Sequence, residues 1–313
     1  MASKDLLIII PKFYEYHLRI INELESENVS FDIIYDESEL YNKFSSYVIF
    51  VKSFKCFLNN KKMVKLLKTH TYKKIFVIKG STLNEDSLNV IKSSNVPSTL
   101  YQWDSIRSYD YRAQLNFFDQ VYTFDQKDAE KLGVNYKELF SVGCYDNKKQ
   151  RNIDLCFVGA SHSDRVNILK GIRNKYPDLN CHFLIYMSLL SFIKSKISRS
   201  GIKYKDVIFK KVSLIELSNI YNSSKCVIDI EFENQTGLTM RTIEALNQGC
   251  KVYTTNTEIL KKKFYNPNKI RVFNKSDLIL DSEFIKTNIL TDNDGEYNIA
   301  NWINIMLLDD LVS

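Results

Sequence analysis

The stretch QTGLTMRTIEALNQG, residues 235–249, combines groups suited to an anionic, hydroxyl-rich ligand. It follows an apolar strand expected at Cys226–Ile230 and opens a helix. Gly237 lets the backbone come close to a ligand. The first N–H groups of the helix, near Leu238, Thr239 and Met240, can hold phosphate oxygens. Arg241 adds a charged fork for the same oxygens. Glu244, one turn on, offers two acceptors to the vicinal hydroxyls of a ribose. The same residues also fit a helix capped by Thr239 with an exposed Arg241–Glu244 pair three positions apart.

Two further constellations lie at expected strand ends. In FVGASHSDR (157–165) a strand runs through the small, polar turn of Gly159 and Ser161 into a helix that carries Arg165, which suits a phosphate or a sugar. It holds one glycine, so the dinucleotide fingerprint is absent. A plain strand-to-helix turn capped by Ser163 is the competing reading. In YQWDS (101–105) Trp103 sets an aromatic face beside the Asp104 carboxylate, a pairing suited to sugar C–H faces and to a hydroxyl or its proton. A core tryptophan next to a helix-capping aspartate explains it equally well. Lys79-Gly80-Ser81 ends the preceding strand and shares that rim if the sheet is parallel, where Lys79 would meet an anionic acceptor or a departing phosphate.

Lysines stand at 52, 55, 61, 62, 65, 68, 73, 74 and 79, with no Asp or Glu between them. Met63, Val64, Leu66 and Leu67 interleave at helical spacing, so the segment Lys52–Lys79 could rest on an anionic membrane surface or form a solvated face. A weaker run lies at 194–211. Asp292-Asn293-Asp294-Gly295 spells a metal-type DxD but reads as a turn. The histidines at 17, 70, 162 and 182 have no metal-ligand spacing, and no nucleophile elbow, P-loop or HExxH occurs.

These groups need a scaffold, and the chain alternates strand and helix patterns. Strands are expected at 5–10, 31–35, 47–51, 75–78, 100–103 and 121–124. A second series follows at 154–158, 181–186, 207–209, 226–230 and 251–254. Helices lie between them, including 60–70, 84–93, 163–174, 188–198, 213–223 and 239–248. This order predicts an α/β fold of two doubly wound, Rossmann-like domains facing a cleft. The polar stretch 146–152 sets the boundary, giving domains 1–148 and 149–313. A last amphipathic helix, 297–308, is placed to pack back on the first domain.

The 313 residues are 44% hydrophobic and 26% charged, an ordinary globular composition that excludes disordered, collagen-like and disulfide-scaffold chains. The net charge of +6 falls short of a dedicated nucleic-acid binder, so no nucleic-acid partner is expected. Leu6–Ile10 is too short for a signal core or a membrane span, and the chain reads as cytosolic. Six scattered cysteines without a CxxC pair read as reduced thiols.

The 235–244 motif resembles the GLxxRxxE signature of glycosyltransferases of the GT-B type. It is most similar to the CgeB-like and lipopolysaccharide or capsule biosynthesis groups. YQWDS, FDQVYTFD (118–125) and KFYNPN (263–268) resemble recurrent pieces of those cell-surface polysaccharide proteins. The length and the order of the pieces are similar to lipopolysaccharide core biosynthesis proteins of the rhamnosyltransferase type. The resemblance spans about 75 to 270. One departure stands out: retaining GT-B families often carry a second glutamate eight residues before the one aligned with Glu244, and this chain has Thr236 there.

What the resemblance implies is a nucleotide-sugar donor held by the C-terminal domain and a lipid-linked, lipopolysaccharide or capsule oligosaccharide acceptor held by the N-terminal domain. It implies no cofactor and no metal. Gly159, Ser161, Arg165, Lys210, Gly237, Leu238, Thr239, Met240 and Glu244 would bind the donor. Lys79, Gly80 and Trp103 would line the acceptor side. Arg241, the helix start and Lys210 would stabilise the departing diphosphate, and Asp104 would serve as base if the reaction inverts. The place of such work is the cytoplasmic face of the inner membrane. A non-catalytic nucleotide- or sugar-binding protein of the same fold is the alternative.

Overall fold

The computed structural model describes residues 2–36, 46–162, 164–198, 201–232, 235–287 and 297–308. The chain divides into two compact units, residues 1–138 with 299–313, and residues 139–298.

The first unit runs β1 (Ala2–Ile10), α1 (Tyr16–Ser26), β2 (Phe31–Tyr35), α2 (Ser46–Thr69), β3 (His70–Ile78), α3 (Glu85–Ser93), β4 (Ser98–Gln102), β5 (Gln120–Thr123), α4 (Gln126–Leu132) and β6 (Asn135–Tyr136). The strands form one sheet in the order β2-β1-β3-β4-β5-β6, and every pairing is parallel. Leu6 to Ile10 are fully buried because helices cover both faces of a central parallel strand. Leu7 and Ile9 pack with Met63 of α2 and Leu88 and Ile91 of α3. The final helix, α10 (Ile299–Ile303), continues as one π-type turn to Leu308 and belongs to this unit. Its Trp302 stands edge-on to Tyr101 at 4.9 Å and to Phe76 at 6.0 Å. Lys74 is buried, and its ammonium donates to the Met306 carbonyl at 2.9 Å.

The second unit runs β7 (Ile153–Ala160), α5 (Arg165–Lys175), β8 (Cys181–Tyr186), α6 (Leu189–Ile197), α7 (Leu214–Asn222), β9 (Ser224–Asp229), α8 (Met240–Asn247), β10 (Lys251–Thr254), β11 (Ile270–Val272) and α9 (Ser282–Lys286). Its parallel sheet has the order β11-β10-β9-β7-β8. Both sheets therefore repeat one winding. The chain starts in the middle, goes to one side, then crosses back to the other. The strand order reverses between β1 and β3 in the first unit and between β7 and β9 in the second, and the carboxyl ends of such strand pairs are where ligands bind.

Three expectations are corrected. Residues 47–51 are the first turns of α2, not a strand. The run Tyr47–Val51 has strand-type residues, but the lysine- and leucine-rich segment after it propagates a helix through them, and no turn residue separates the two. At 207–209 there is no strand, only a single bridge from Ile208 to Tyr186. The division between units falls after Glu138, upstream of the polar stretch 146–152. Residues 141–146 are tied into the second unit: Asn222 donates to the Cys144 carbonyl at 2.9 Å and accepts from the Asp146 N–H at 3.0 Å.

Candidate functional site

Each unit gathers polar groups at the carboxyl ends of its switch-point strands. In the second unit the organising group is Asp229, the last residue of β9, which is fully buried. Its carboxylate accepts from the hydroxyls of Thr239 (3.0 Å), Thr242 (2.9 Å) and Thr254 (3.3 Å), and pairs with the Arg241 guanidinium at 2.5 Å. Donors of this kind offset the cost of taking a carboxylate out of water. The result fixes the start of α8 against β9 and β10. Thr239 also caps the helix, accepting from the Thr242 N–H at 3.2 Å.

Arg241 is thus committed inward. Besides Asp229 it donates to the Val158 carbonyl at 3.0 Å and lies over the Phe157 ring at 4.5 Å. Gly159 makes room for it, since a Cβ there would collide with the guanidinium. Gly159 thus permits the close approach of the Arg241 side chain.

Arg165 is buried at the start of α5. Its guanidinium donates through Nε to the Ile230 carbonyl at 2.8 Å, again through Nη2 to that carbonyl, and through Nη1 to the Ala160 carbonyl at 3.0 Å. These bonds clamp the ends of β7 and β9 together. Burial, with the charge of Arg241 nearby, lowers its pKa to about 10. Two guanidinium groups thus meet at this corner, with the carboxylates of Asp229, Glu231 and Asp164 also acting on Arg165. Ser161 follows, its N–H donating to the Tyr186 carbonyl at 2.8 Å. The rings of His162 and Phe232 meet at 4.2 Å. Lys210 is exposed on the loop after Ile208, and its neighbour Lys211 lies 5.8 Å from the Tyr186 ring.

The loop before α8 is pinned from the side. Asn256, just after β10, donates to the carbonyls of Thr236 (3.2 Å) and Gly237 (3.3 Å). Gly237 and Leu238 are buried, and Thr239 and Met240 are half-buried at the rim. Glu231, at the exit of β9, accepts from the Thr255 hydroxyl and stands 3.7 Å from Lys275. Burial raises its pKa above the ordinary value.

Glu244 does not offer its carboxylate to the rim. It is 1% exposed and accepts from the Ser141 hydroxyl (2.6 Å) and the N–H groups of Val142 (3.0 Å) and Gly143 (3.1 Å). Its two oxygens hold the 141–143 segment, which takes the place expected for a ribose diol. Gly143 passes close enough that a Cβ would strike Gln248 and the Glu244 carboxylate.

In the first unit, β3 is followed by two consecutive left-handed residues, Lys79 (φ 68°) and Gly80 (φ 66°). Such a conformation is costly at a lysine and persists only when its surroundings fix it. Gln102 donates to the Lys79 carbonyl and Gln114 to the Gly80 carbonyl, both at 2.8 Å. Asp36, buried beyond the end of β2, accepts from the N–H groups of Ser81 (2.7 Å) and Thr82 (2.8 Å). The turn brings the buried Lys79 ammonium to Asp104 at 2.7 Å and to 5.8 Å from the Tyr109 ring. Lys79 and Asp104 form one neutralised pair rather than a lone cation and a lone base. Burial and the Asp36 carboxylate push the Tyr109 hydroxyl up to about 12, so it stays protonated as a donor. Trp103 stands half-buried beside Phe13, with ring centroids 5.6 Å apart.

Sequence reasoning brought Lys79, Gly80, Trp103 and Asp104 to one rim, and Gly159, Ser161, Arg165 and the α8 start to another. It missed Asp36, Tyr109, Asp229, Glu231 and Asn256. The available signal was a carboxylate at or just past the end of an apolar strand, as at Asp36 and Asp229. Of the Lys52–Lys79 run, Lys73 pairs with Asp5 at 2.9 Å, and Lys74 and Lys79 are buried. Lys61, Lys62, Lys65 and Lys68 of α2 are exposed. The Asp292–Gly295 stretch and Ser163 lie outside the described residues. Among the described residues no group of three or more His, Cys, Asp or Glu could hold a metal, no two cysteines form a disulfide, and no helix is long and apolar enough to cross a membrane.

No protein-family model matches the chain, and no curated protein matches it by sequence. Solved structures do match along the whole chain. UDP-GlcNAc 2-epimerase from Neisseria meningitidis bound to UDP-GlcNAc is 11% identical, with a TM-score of 0.56 over 100% of both chains. UDP-GlcNAc 2-epimerase from Methanocaldococcus jannaschii is 12% identical, with a TM-score of 0.54 over 96% of this chain and 99% of that one. AviGT4, a glycosyltransferase involved in avilamycin A biosynthesis, is 7% identical, with a TM-score of 0.58 over 98% of this chain and 97% of that one. The chain has the GT-B-like fold of these enzymes, two Rossmann-like units each with its own parallel sheet.

Proposed function

We propose that this protein is a glycosyltransferase that takes a sugar from a nucleotide-sugar bound at the carboxyl ends of β7 and β9. The carrying observation is the Arg165 corner, where a buried arginine bonded to backbone carbonyls stands beside Arg241, next to the Ser161 turn and the start of α8. That combination suits a diphosphate: charge from Arg165 and Lys210, directional donors from backbone N–H groups. Arg241 acts by holding the α8 start in place, through Asp229, rather than by direct contact.

The acceptor in this reading is a hydroxyl-bearing sugar at the Lys79–Asp104–Tyr109 rim, stacked on Trp103. The sequence resemblance favours a lipid-linked, lipopolysaccharide or capsule oligosaccharide. Asp104 would take the hydroxyl proton, with Lys79 orienting it and Tyr109 donating to a neighbouring sugar oxygen. The exposed lysines of α2 would add a charge-only contact with an anionic membrane, which fits a peripheral enzyme on the cytoplasmic face. No cofactor or metal enters this scheme.

A non-catalytic nucleotide- or sugar-binding protein is the second reading, favoured by the inward commitment of Arg241 and Glu244. A thermal-shift panel of UDP-, GDP-, CMP-, ADP- and dTDP-sugars without metal, followed by an assay for released nucleotide with oligosaccharide acceptors, separates the two. The midpoint should rise with one nucleotide family. Release of the nucleotide only when acceptor is present supports transfer, and a shift without release supports the binding protein. A sugar altered on the intact nucleotide sinks both. No shift with any family removes the donor site.

A further inference from the structure

We infer that α6 is an interfacial anchor that inserts an apolar stripe into an anionic bilayer surface. The inference goes beyond the transfer reading and does not rest on it. The helix is amphipathic in the opposite sense to its neighbours. None of its residues is buried. Phe192 alone points to the unit's core, edge-on to Phe209 at 5.3 Å. Leu189 (60% exposed), Leu190, Ile193 and Ile197 (78% exposed) face solvent instead. Positions 189, 193 and 197 recur every four residues, so they form one stripe on a helix. The Ser188 hydroxyl caps the helix start, accepting from the Ser191 N–H at 3.2 Å, so the stripe is presented by a defined element.

Charge says what covers it. From Leu179 to Lys205 the sequence contains no Asp or Glu. Lys194 and Lys196 flank the stripe, and Lys203 and Lys205 follow it on either side of Tyr204, which is 70% exposed. Asp206, the first carboxylate after them, is engaged by Lys170 at 3.2 Å and by the Lys203 N–H at 2.7 Å. Apolar side chains rimmed by uncompensated lysines match the headgroup boundary of an anionic membrane, where the stripe enters the acyl edge and the ammonium groups reach the phosphates. A second copy of the chain fits worse, because a two-fold contact would set the same lysines against each other. A nucleic acid has no use for leucine and isoleucine at this density.

The test is sedimentation of the full chain with phosphatidylglycerol-containing vesicles and with pure phosphatidylcholine vesicles. The wild type should partition to the anionic vesicles in a salt-dependent way. Ile193→Ser/Ile197→Ser should lower that partitioning at least about tenfold, with unchanged far-UV circular dichroism and melting temperature. Lys194→Gln/Lys196→Gln should weaken binding and flatten its salt dependence. Lys61→Glu/Lys65→Glu on α2 should weaken it less than the α6 variants do. The inference is overturned if the wild type ignores anionic vesicles, or if the isoleucine variant binds them as the wild type does. It is equally overturned if α2 changes alone abolish binding, or if the isoleucine variant instead turns a dimer into a monomer.

Discussion

Asp229 shows how much one side chain decides. Four donors converge on a carboxylate with no exposure, and one of them is a guanidinium. Replacing it with asparagine leaves the largely enclosed Arg241 guanidinium without its counter-charge, a change that costs about 3 kcal/mol. Asp229→Asn should lower the urea midpoint accordingly, whereas Lys261→Ala, which removes an exposed pair with Glu258, should cost under about 1 kcal/mol. Asp36 makes a different case. Burial raises its pKa above the ordinary 3.8, against the pull of the Ser81 and Thr82 hydrogen bonds. A raised folded value means that the native state holds this proton more tightly than the unfolded chain. Its contribution to stability is therefore fully present below 3.8 and is lost as pH rises through the folded value. Asp36→Asn removes that titration, so its stability relative to the wild type should improve between about pH 4 and about pH 7. Urea midpoints of both proteins at the two pH values check this, and a constant difference would show that Asp36 does not titrate there.

At the scale of elements, α8 is held less by its own length than by its first residue. Thr239 caps the helix and donates to Asp229, so Thr239→Ala removes both bonds and should cost about 1–2 kcal/mol. Thermal unfolding would register the loss, and Thr239→Ser, which keeps the hydroxyl, should restore most of it. That cap was readable because Thr239 precedes an apolar helical pattern after a glycine. The strand-to-helix turns at 159–161 and 79–81 were legible for the same reason: an unbroken apolar run stops at a small or charged residue. What the sequence hid was partnership. Nothing in the spacing of Arg241 and Glu244 says that one turns back to Asp229 and the other reaches Ser141, because those partners are brought in by tertiary structure. The run Tyr47–Val51 failed for a related reason. Its strand-type residues are overridden by the helix that continues to Thr69, and local propensity is too weak to resist that.

For the whole molecule, the two units can be followed separately because both tryptophans, Trp103 and Trp302, belong to the first. Trp302 is buried against Tyr101 and Phe76, with its indole N–H donating to the Glu138 carbonyl at 3.2 Å. The first unit is thus closed by residues that follow the whole second unit in the sequence. A chain ending at Asn298 loses the cover over Tyr101 and Phe76 and leaves the Lys74 ammonium without the Met306 carbonyl. Uncovering that much aromatic surface exceeds what a domain's stability margin tolerates. In the truncated chain the emission of Trp103 should shift to the red, as in denaturant, and far-UV circular dichroism should fall. Residues 139–298 have their own sheet and their own core, so the truncated chain should keep the nucleotide-dependent thermal shift expected under the proposed function. Trp302→Phe in the full chain should leave the fold intact and make Trp103 the sole reporter of the proposed acceptor rim. Sugar titration should then change its emission, and an unchanged spectrum at saturating acceptor would remove Trp103 from the site.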